Sequence, residues 1–411
     1  MNHWKETAEI LARLAELRAA GRRAALATVV EIVGSAYRRP GAKLLIEESG
    51  GTLGSVSGGC LEADVREVAQ AVVASGVPSL RHYNTGDEDV VWGLGLGCNG
   101  LVDVFVQPAT EGPLAALAEP LRELFAGDAA LALATVLDTR APEAPLAPEA
   151  PLAPLAPEAP LAPLAPGNPG DHADPIDLHA AVQAGAALAL ELRHPAGIVH
   201  GSFGVPELDR QVAERAGALV AAGRSGVHTI AGRRVFVDVL PPPPHLVICG
   251  GGDDARPLVA YAADAGFRVT LLDHRQALLA PEWFPQAARR VVARPEDPDL
   301  ALPRAERALA VVKTHSLAFD REWVRRLLAA GYPYVGVLGP RGRTETILRD
   351  IQGAGDSAER VRERVFGPVG LDLGADGPRQ VAISIVAELL AFIAQREPRH
   401  RSARWEAIHA G

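Results

Sequence analysis

Cysteine is scarce in this chain. Its three cysteines, Cys60, Cys98 and Cys249, are widely spaced and odd in number, which excludes a disulfide framework and points to free thiols in a reducing compartment. Also missing is any apolar run approaching the roughly 18 residues that a membrane span needs. The N-terminal segment Asn2 to Arg23 sets Lys5, Glu6, Glu9, Arg13 and Glu16 among apolar positions, the pattern of an amphipathic helix and not of a signal peptide. The expected location is therefore the cytoplasm, with no membrane partner. A net charge of −9 with no long basic run argues against nucleic acid as well. At 411 residues the chain exceeds what one hydrophobic core commonly supports, so two domains are expected.

One of the thiols sits in a telling place. Ser57-Gly58-Gly59-Cys60-Leu61-Glu62 puts a cysteine where a glycine-rich turn becomes a helix, and the helix's first N–H groups and dipole favour thiolate there. Leu61, Val65, Val68 and Val72 recur at helical spacing up to Gly76, which predicts the helix. Cys60 is thus a candidate nucleophile or metal ligand; the alternative is a small residue buried at a tight turn. Around it, Arg23 to Val33, Lys43 to Ile46, Leu80 to Tyr83, Leu101 to Gln107 and Ala130 to Leu137 read as strands. Gly93 to Gly100, which includes Cys98, is too glycine-rich for regular structure and suits close approach to a ligand.

Residues 141–166 repeat Ala-Pro-Glu-Ala-Pro-Leu units, which cannot build a helix or a sheet ladder. They are expected as a polyproline-like surface insertion, spanning about 139–175, between two elements of one domain. A helix over Asp177 to Ala187, strands at Leu188 to Leu192 and Gly197 to His200, a helix from Pro206 to Ala222 and a strand Arg234 to Leu240 follow. Four prolines, Pro241 to Pro244, then form a stiff connector. The expected organisation is a mixed α/β domain over 1–240 and a Rossmann-like, doubly wound parallel sheet over 241–411.

The second domain opens with an apolar strand, His245 to Cys249, then Gly250-Gly251-Gly252-Asp253-Asp254-Ala255, a helical pattern and a strand ending in Asp273. That order is the βαβ dinucleotide unit, with Gly250 and Gly252 as fingerprint glycines and Asp273 where an acid meets a ribose hydroxyl. Further strands at Arg289 to Ala293, Ala308 to Lys313 and Tyr334 to Leu338, each expected to run into a loop and helix, extend the sheet. Beyond their ends lie Lys313-Thr314-His315, Arg341 and Arg343, suited to phosphate. His315 is a candidate acid/base group or ligand. Cys249, inside an apolar strand, reads as inert core.

Taken together, Gly34 to Ala42, Gly54 to Glu62 and Gly95-Leu96-Gly97-Cys98, with Thr314-His315, Gly339 to Arg343 and Gly367 to Gly374, resemble the XdhC/CoxI family of molybdenum-enzyme maturation factors over nearly the whole chain. Asp253 and Pro340 depart from that family's histidine and serine. The resemblance implies binding and protection of molybdenum cofactor (molybdopterin), sulfuration with a cysteine desulfurase, and delivery to a xanthine dehydrogenase-type molybdenum hydroxylase, by a homodimer. It implies a cofactor site at Arg38, Ser57, Gly58, Gly59, Cys60 and Cys98, with Arg38 on phosphate or an oxo group and Cys60 as the reactive thiol and soft metal ligand. Two other readings stand beside it: an NAD(P)-dependent oxidoreductase working through the Rossmann half, and a scaffold without a small ligand.

Overall fold

The computed structural model describes residues 2–34, 36–84, 100–138, 187–192, 198–352 and 358–400. The chain divides into two units, Thr7–Pro241 and Pro242–Gly411, the latter joined by Met1–Glu6.

The first unit uses one pattern twice. Helix α1 (Asn2–Ala19) leads into a meander of β1 (Ala24–Gly34), β2 (Lys43–Glu47) and β3 (Thr52–Gly54), then α2 (Glu62–Ser75) and a hairpin of β4 (Ser79–Asn84) and β5 (Gly100–Pro108). Helix α3 (Gly112–Ala126) then precedes β6 (Ala130–Val136), β7 (Ala187–Leu192), β8 (Ile198–Gly201), α4 (Pro206–Ala222), β9 (Gly226–Ile230) and β10 (Arg233–Leu240). The first antiparallel sheet runs β3-β2-β1-β5-β4 and the second β8-β7-β6-β10-β9, the same order. Register agrees as well: Thr28 faces Phe105 in one sheet and Thr135 faces Phe236 in the other.

Successive strand residues point to opposite faces, and in β1 both faces are covered. Ala25, Ala27 and Val29 meet Val65, Val68, Ala69 and Val72 of α2. Val30 and Phe105 meet Leu137 and Phe236 of the other sheet. Helix α4 packs through Leu208, Val212 and Ala216 on the outer face of that second sheet. The layers are helix, sheet, sheet, helix. Each fully buried valine in them contributes on the order of 2 kcal/mol. Burial on both faces explains why β1 reads as an apolar run without alternation.

Three elements of this unit, β3, α3 and β9, were not expected from the sequence. The proline-rich insert falls between β6 and β7 and lies outside the described residues, as does the helix expected over 177–187 apart from Ala187, which begins β7.

The second unit contains β11 (His245–Cys249), α5 (Ala255–Asp264), β12 (Arg268–Asp273), β13 (Arg289–Val292), β14 (Ala308–Val312), α6 (Leu317–Ala329), β15 (Val335–Val337), α7 (Arg341–Gln352), α8 (Ala358–Arg364), β16 (Val365–Phe366) and α9 (Pro378–Ile393). All six strands are parallel, in the order β13-β12-β11-β14-β15-β16. Numbered within the unit this is 3-2-1-4-5-6, the doubly wound dinucleotide order. The structure differs from expectation in one connection: between β13 and β14, where a helix was expected, the chain makes only the short 3-10 turn Ala305–Arg307, as it makes only Gln276–Leu279 between β12 and β13. Pro281, Pro285, Pro295, Pro298 and Pro303 lie in these connections, and proline opposes an α-helix.

Candidate functional site

In the first unit, two loops that are separate in the sequence meet at one end of the sheet. The β1–β2 loop supplies Ala36, Tyr37 and Arg38; the β3–α2 loop supplies Val56, Ser57, Gly58, Cys60 and Leu61. With Ile32 and Val102 they enclose a cavity of about 220 Å³. Antiparallel pairing of β1 with β2 and of β2 with β3 brings the two loops to one end of the sheet. Cys60 is half-buried and not disulfide-bonded, two residues ahead of the first residue of α2. Tyr37 is 71% exposed, and its ring lies beside Gly58, so that a Cβ there would be in ordinary contact with it at 3.5 Å.

The cysteine loop is held by a carboxylate. Glu62 accepts hydrogen bonds from Ser55 Oγ (3.0 Å), from Ser57 N (2.9 Å) and from Ser57 Oγ, while Ser57 Oγ accepts from the N–H groups of Gly59 and Leu61 (both 3.1 Å). Burial raises the Glu62 pKa, but the bonds from Ser57 and Ser55 outweigh it and hold the carboxyl below its ordinary value. Ser57 therefore braces the turn, and the side chains it presents to the cavity are flanked by a fixed backbone. The second repeat keeps the brace without the thiol. Ser202 Oγ donates to Asp209 Oδ2 (2.6 Å) and accepts from Gly204 N (2.9 Å), but the loop is shorter and carries no cysteine. Among the described residues no group of three or more His, Cys, Asp or Glu side chains could hold a metal ion. Cys98, with Gly95 and Gly97, lies outside the described residues.

In the second unit the residues expected at a dinucleotide are engaged with one another. Gly250, at φ +123°, passes so close to the Lys313 backbone that a Cβ would run into its carbonyl. A Cβ on Gly251 would meet the Leu278 carbonyl at 3.1 Å, so the turn is roofed by the chain itself. Asp273 accepts from Gly251 N (2.8 Å) and takes both Nε and Nη2 of Arg275 (2.9 Å each). Burial pushes its pKa up, while Arg275 and the backbone N–H groups pull it lower overall. Asp254, ahead of α5, bonds Lys313 Nζ (2.6 Å) and lies 3.0 Å from His315 Nε2. His315 holds this pose at φ +63°. Arg343 lies in the first turn of α7, paired through Nε and Nη2 to the buried Asp320 (3.0 and 2.6 Å). Arg341, also in α7, pairs with Glu345 at 84% exposure. The residues present do not fit a dinucleotide laid over Gly250 to Gly252. Its pyrophosphate would meet the carboxylate of Asp254, and its ribose acid is already spoken for by Arg275. Cys249 is fully buried, and burial drives its thiol pKa well up, with smaller contributions from Asp320 and Asp273.

The fold and cavities define a two-unit α/β protein, with a thiol-bearing pocket in a duplicated unit and a Rossmann sheet in the other. Residues 17–84 match the XdhC and CoxI family, and residues 246–389 match the XdhC Rossmann domain. The chain belongs to the XdhC and CoxI family. It is 27% identical over 370 residues to a probable xanthine dehydrogenase subunit from Bacillus subtilis (strain 168), covering 89% of this chain and 92% of that protein. It is 30% identical over 157 residues to the uncharacterized protein YqeB of Escherichia coli (strain K12), 38% of this chain and 28% of that one. A crystal structure described as a xanthine dehydrogenase from Bacillus halodurans superposes with a TM-score of 0.69 at 25% identity, covering 95% of this chain and 96% of that one. No helix among the described residues is long and apolar enough to cross a membrane.

Proposed function

We propose that the protein is a maturation factor for a xanthine dehydrogenase-type molybdenum hydroxylase, and that it holds molybdenum cofactor in the Cys60 pocket of its first unit. The observation that carries this reading is the convergence of Arg38 and Cys60, from separate loops, on one cavity of about 220 Å³. The donor set fits the group. A thiol suits a soft metal or a sulfur atom, a guanidinium suits an oxo or phosphate oxygen, and the walls of Ile32, Val56, Leu61 and Val102 keep water away. The cofactor brings a dithiolene-held metal with exchangeable ligands; the chain contributes a thiol fixed by the Ser57–Glu62 brace, a cation and an aromatic ring at the rim. In this reading the protein works as a cytoplasmic homodimer, receives sulfur from a cysteine desulfurase and passes the cofactor to the hydroxylase.

The test is anaerobic incubation with molybdenum cofactor, followed by measurement of retained molybdenum and oxidised pterin. Retention by the native protein and its loss in Cys60→Ser, with circular dichroism unchanged, is expected. Arg38→Ala should weaken retention about 10- to 100-fold, the scale of one lost charge-assisted bond. Equal retention by native and Cys60→Ser protein would remove the thiol from the site, and none in either would sink the carrier assignment.

A further inference from the structure

The crevice of the second unit is closed on one side and open on the other. Over β11 and β12 the Leu278 carbonyl lies against Gly251 and Asp273 is taken by Arg275. Beyond β14 and β15 there is a cavity of about 260 Å³, walled by Leu258 of α5, by Leu338, and by Val381 and Ile385 of α9. Its charged lining residues are Asp254 and Lys313. The Lys313 side chain is only 2% exposed and donates to Asp254 Oδ1 at 2.6 Å. Burial lowers its pKa and the contact with Asp254 opposes that lowering. An ammonium carries three N–H donors, and Asp254 takes one. A cavity this size is at or below the lower end of small-molecule sites and has room for one ring system, not for a dinucleotide.

We propose that this cavity binds a neutral, flat heterocycle through a lactam edge, with its ring N–H donating to Asp254 and its adjacent carbonyl accepting from Lys313. Charge balance selects this class. Among the lining residues Lys313 is already matched by Asp254, whose other oxygen faces His315 outside the lining, so an anionic ligand would add a charge beside the Asp254 carboxylate in an apolar chamber. A ligand without polar atoms would leave the remaining ammonium donors unmet. A lactam satisfies a donor and an acceptor at once and adds no charge, while its ring faces lie against leucine, valine and isoleucine. The proposal is independent of the Cys60 pocket, because every residue it uses belongs to the second unit.

Calorimetric titration of the full-length protein with quinazolinone, a bicyclic lactam, tests it. Quinazoline, which lacks the lactam, and naphthoate, an anion of similar size, serve as comparisons. Saturable binding of quinazolinone is expected, with both comparison compounds weaker by at least about tenfold, because a site built for a hydrogen-bonding edge rejects analogues lacking it. Val381→Phe fills the chamber without touching the ion pair and should abolish binding while the melting temperature is retained; Lys313→Met should abolish it too. Absent binding, equal binding of naphthoate or quinazoline, or binding that survives Val381→Phe would each overturn the proposal. Saturable binding of NAD that is lost in Asp273→Ala would overturn it as well, since it would show the closed side to be open.

Discussion

Lys43 Nζ donates to Asp238 Oδ2 at 2.5 Å, with both side chains 3% exposed, between the two repeated sheets of the first unit. This ion pair is where the repeats differ. Thr28, which faces Lys43 across β1 and β2, corresponds to Thr135, which faces Ala187. Leu26 faces Gln107 where Leu133 faces Asp238. A lysine and an aspartate in one repeat each thus stand where the other has alanine and glutamine, so the pair breaks the symmetry between the two sheets. Lys43 also donates to the Gly41 carbonyl (2.9 Å), fixing the base of the loop that carries Tyr37 and Arg38. Lys43→Met should cost roughly 3–5 kcal/mol, because it strands a buried carboxylate. The double variant Lys43→Met, Asp238→Leu should recover most of that loss in urea unfolding. Additive losses in the double-mutant cycle would show that the two charges act independently.

The parallel sheet was legible because β11, β12, β14 and β15 are short apolar runs, each ending in or running into polar or glycine residues. The repeat went unread, although Ala25-Leu26-Ala27-Thr28-Val29 returns as Ala132-Leu133-Ala134-Thr135-Val136. The segments between these two stretches and the next strand differ greatly in length, and the helices of the two repeats share no obvious residues. Arg38 and Cys60 were readable as motif residues, but their convergence depends on strand register, which no local pattern reports. Arg343 was readable as a cation beyond the strand ends, but its pairing with Asp320 was not, because Asp320 comes from another helix.

Two adjacent glycines of the cysteine loop should respond differently to alanine. Gly59 adopts φ +113° with open space where a Cβ would go, whereas Gly58 has no positive φ and a Cβ there would touch the Tyr37 ring at 3.5 Å. Gly59→Ala therefore meets backbone strain, about 1–3 kcal/mol, and Gly58→Ala an ordinary contact. Thermal unfolding should show the first destabilised and the second within about 0.5 kcal/mol of native. The reverse order would mean that the ring contact and not the backbone governs this loop.

The Glu62 brace makes a statement about acid. Its folded pKa is depressed from 4.5, since the Ser57 and Ser55 bonds outweigh the opposing effect of burial. Stability from such a group is fully present above the unfolded value and is lost as pH falls through the folded one. Glu62→Gln should then cost about 1–3 kcal/mol at neutral pH, and the gap between native and variant should close below pH 4.5. Asp254 and Asp273 are depressed as well, so the Glu62 share is isolated by comparing native and variant unfolding curves across pH. A gap that stays constant down to strong acid would show that Glu62 is not charged in its role.

Arg341 and Arg343, one residue apart at the start of α7, test the difference between a surface cation and a structural one. Asp320 is fully buried; Thr314 N and Oγ1 donate to its Oδ1 at 3.0 and 2.5 Å, and Arg343 supplies both bonds to Oδ2. Thr314 and Asp320 tie the segment after β14 to α6, and Arg343 ties α7 to both. Removing the guanidinium leaves a buried carboxylate with neutral donors alone, so Arg343→Met should destabilise by about 3–5 kcal/mol. Arg343→Lys should rescue only part of this, because an ammonium cannot make the two-pronged contact. Arg341→Met loses only an exposed pair with Glu345 on its own helix and should change stability by less than about 0.5 kcal/mol. Equal, small effects of both substitutions in chemical unfolding would return Arg343 to the role of a ligand-facing cation and free Asp320 for another.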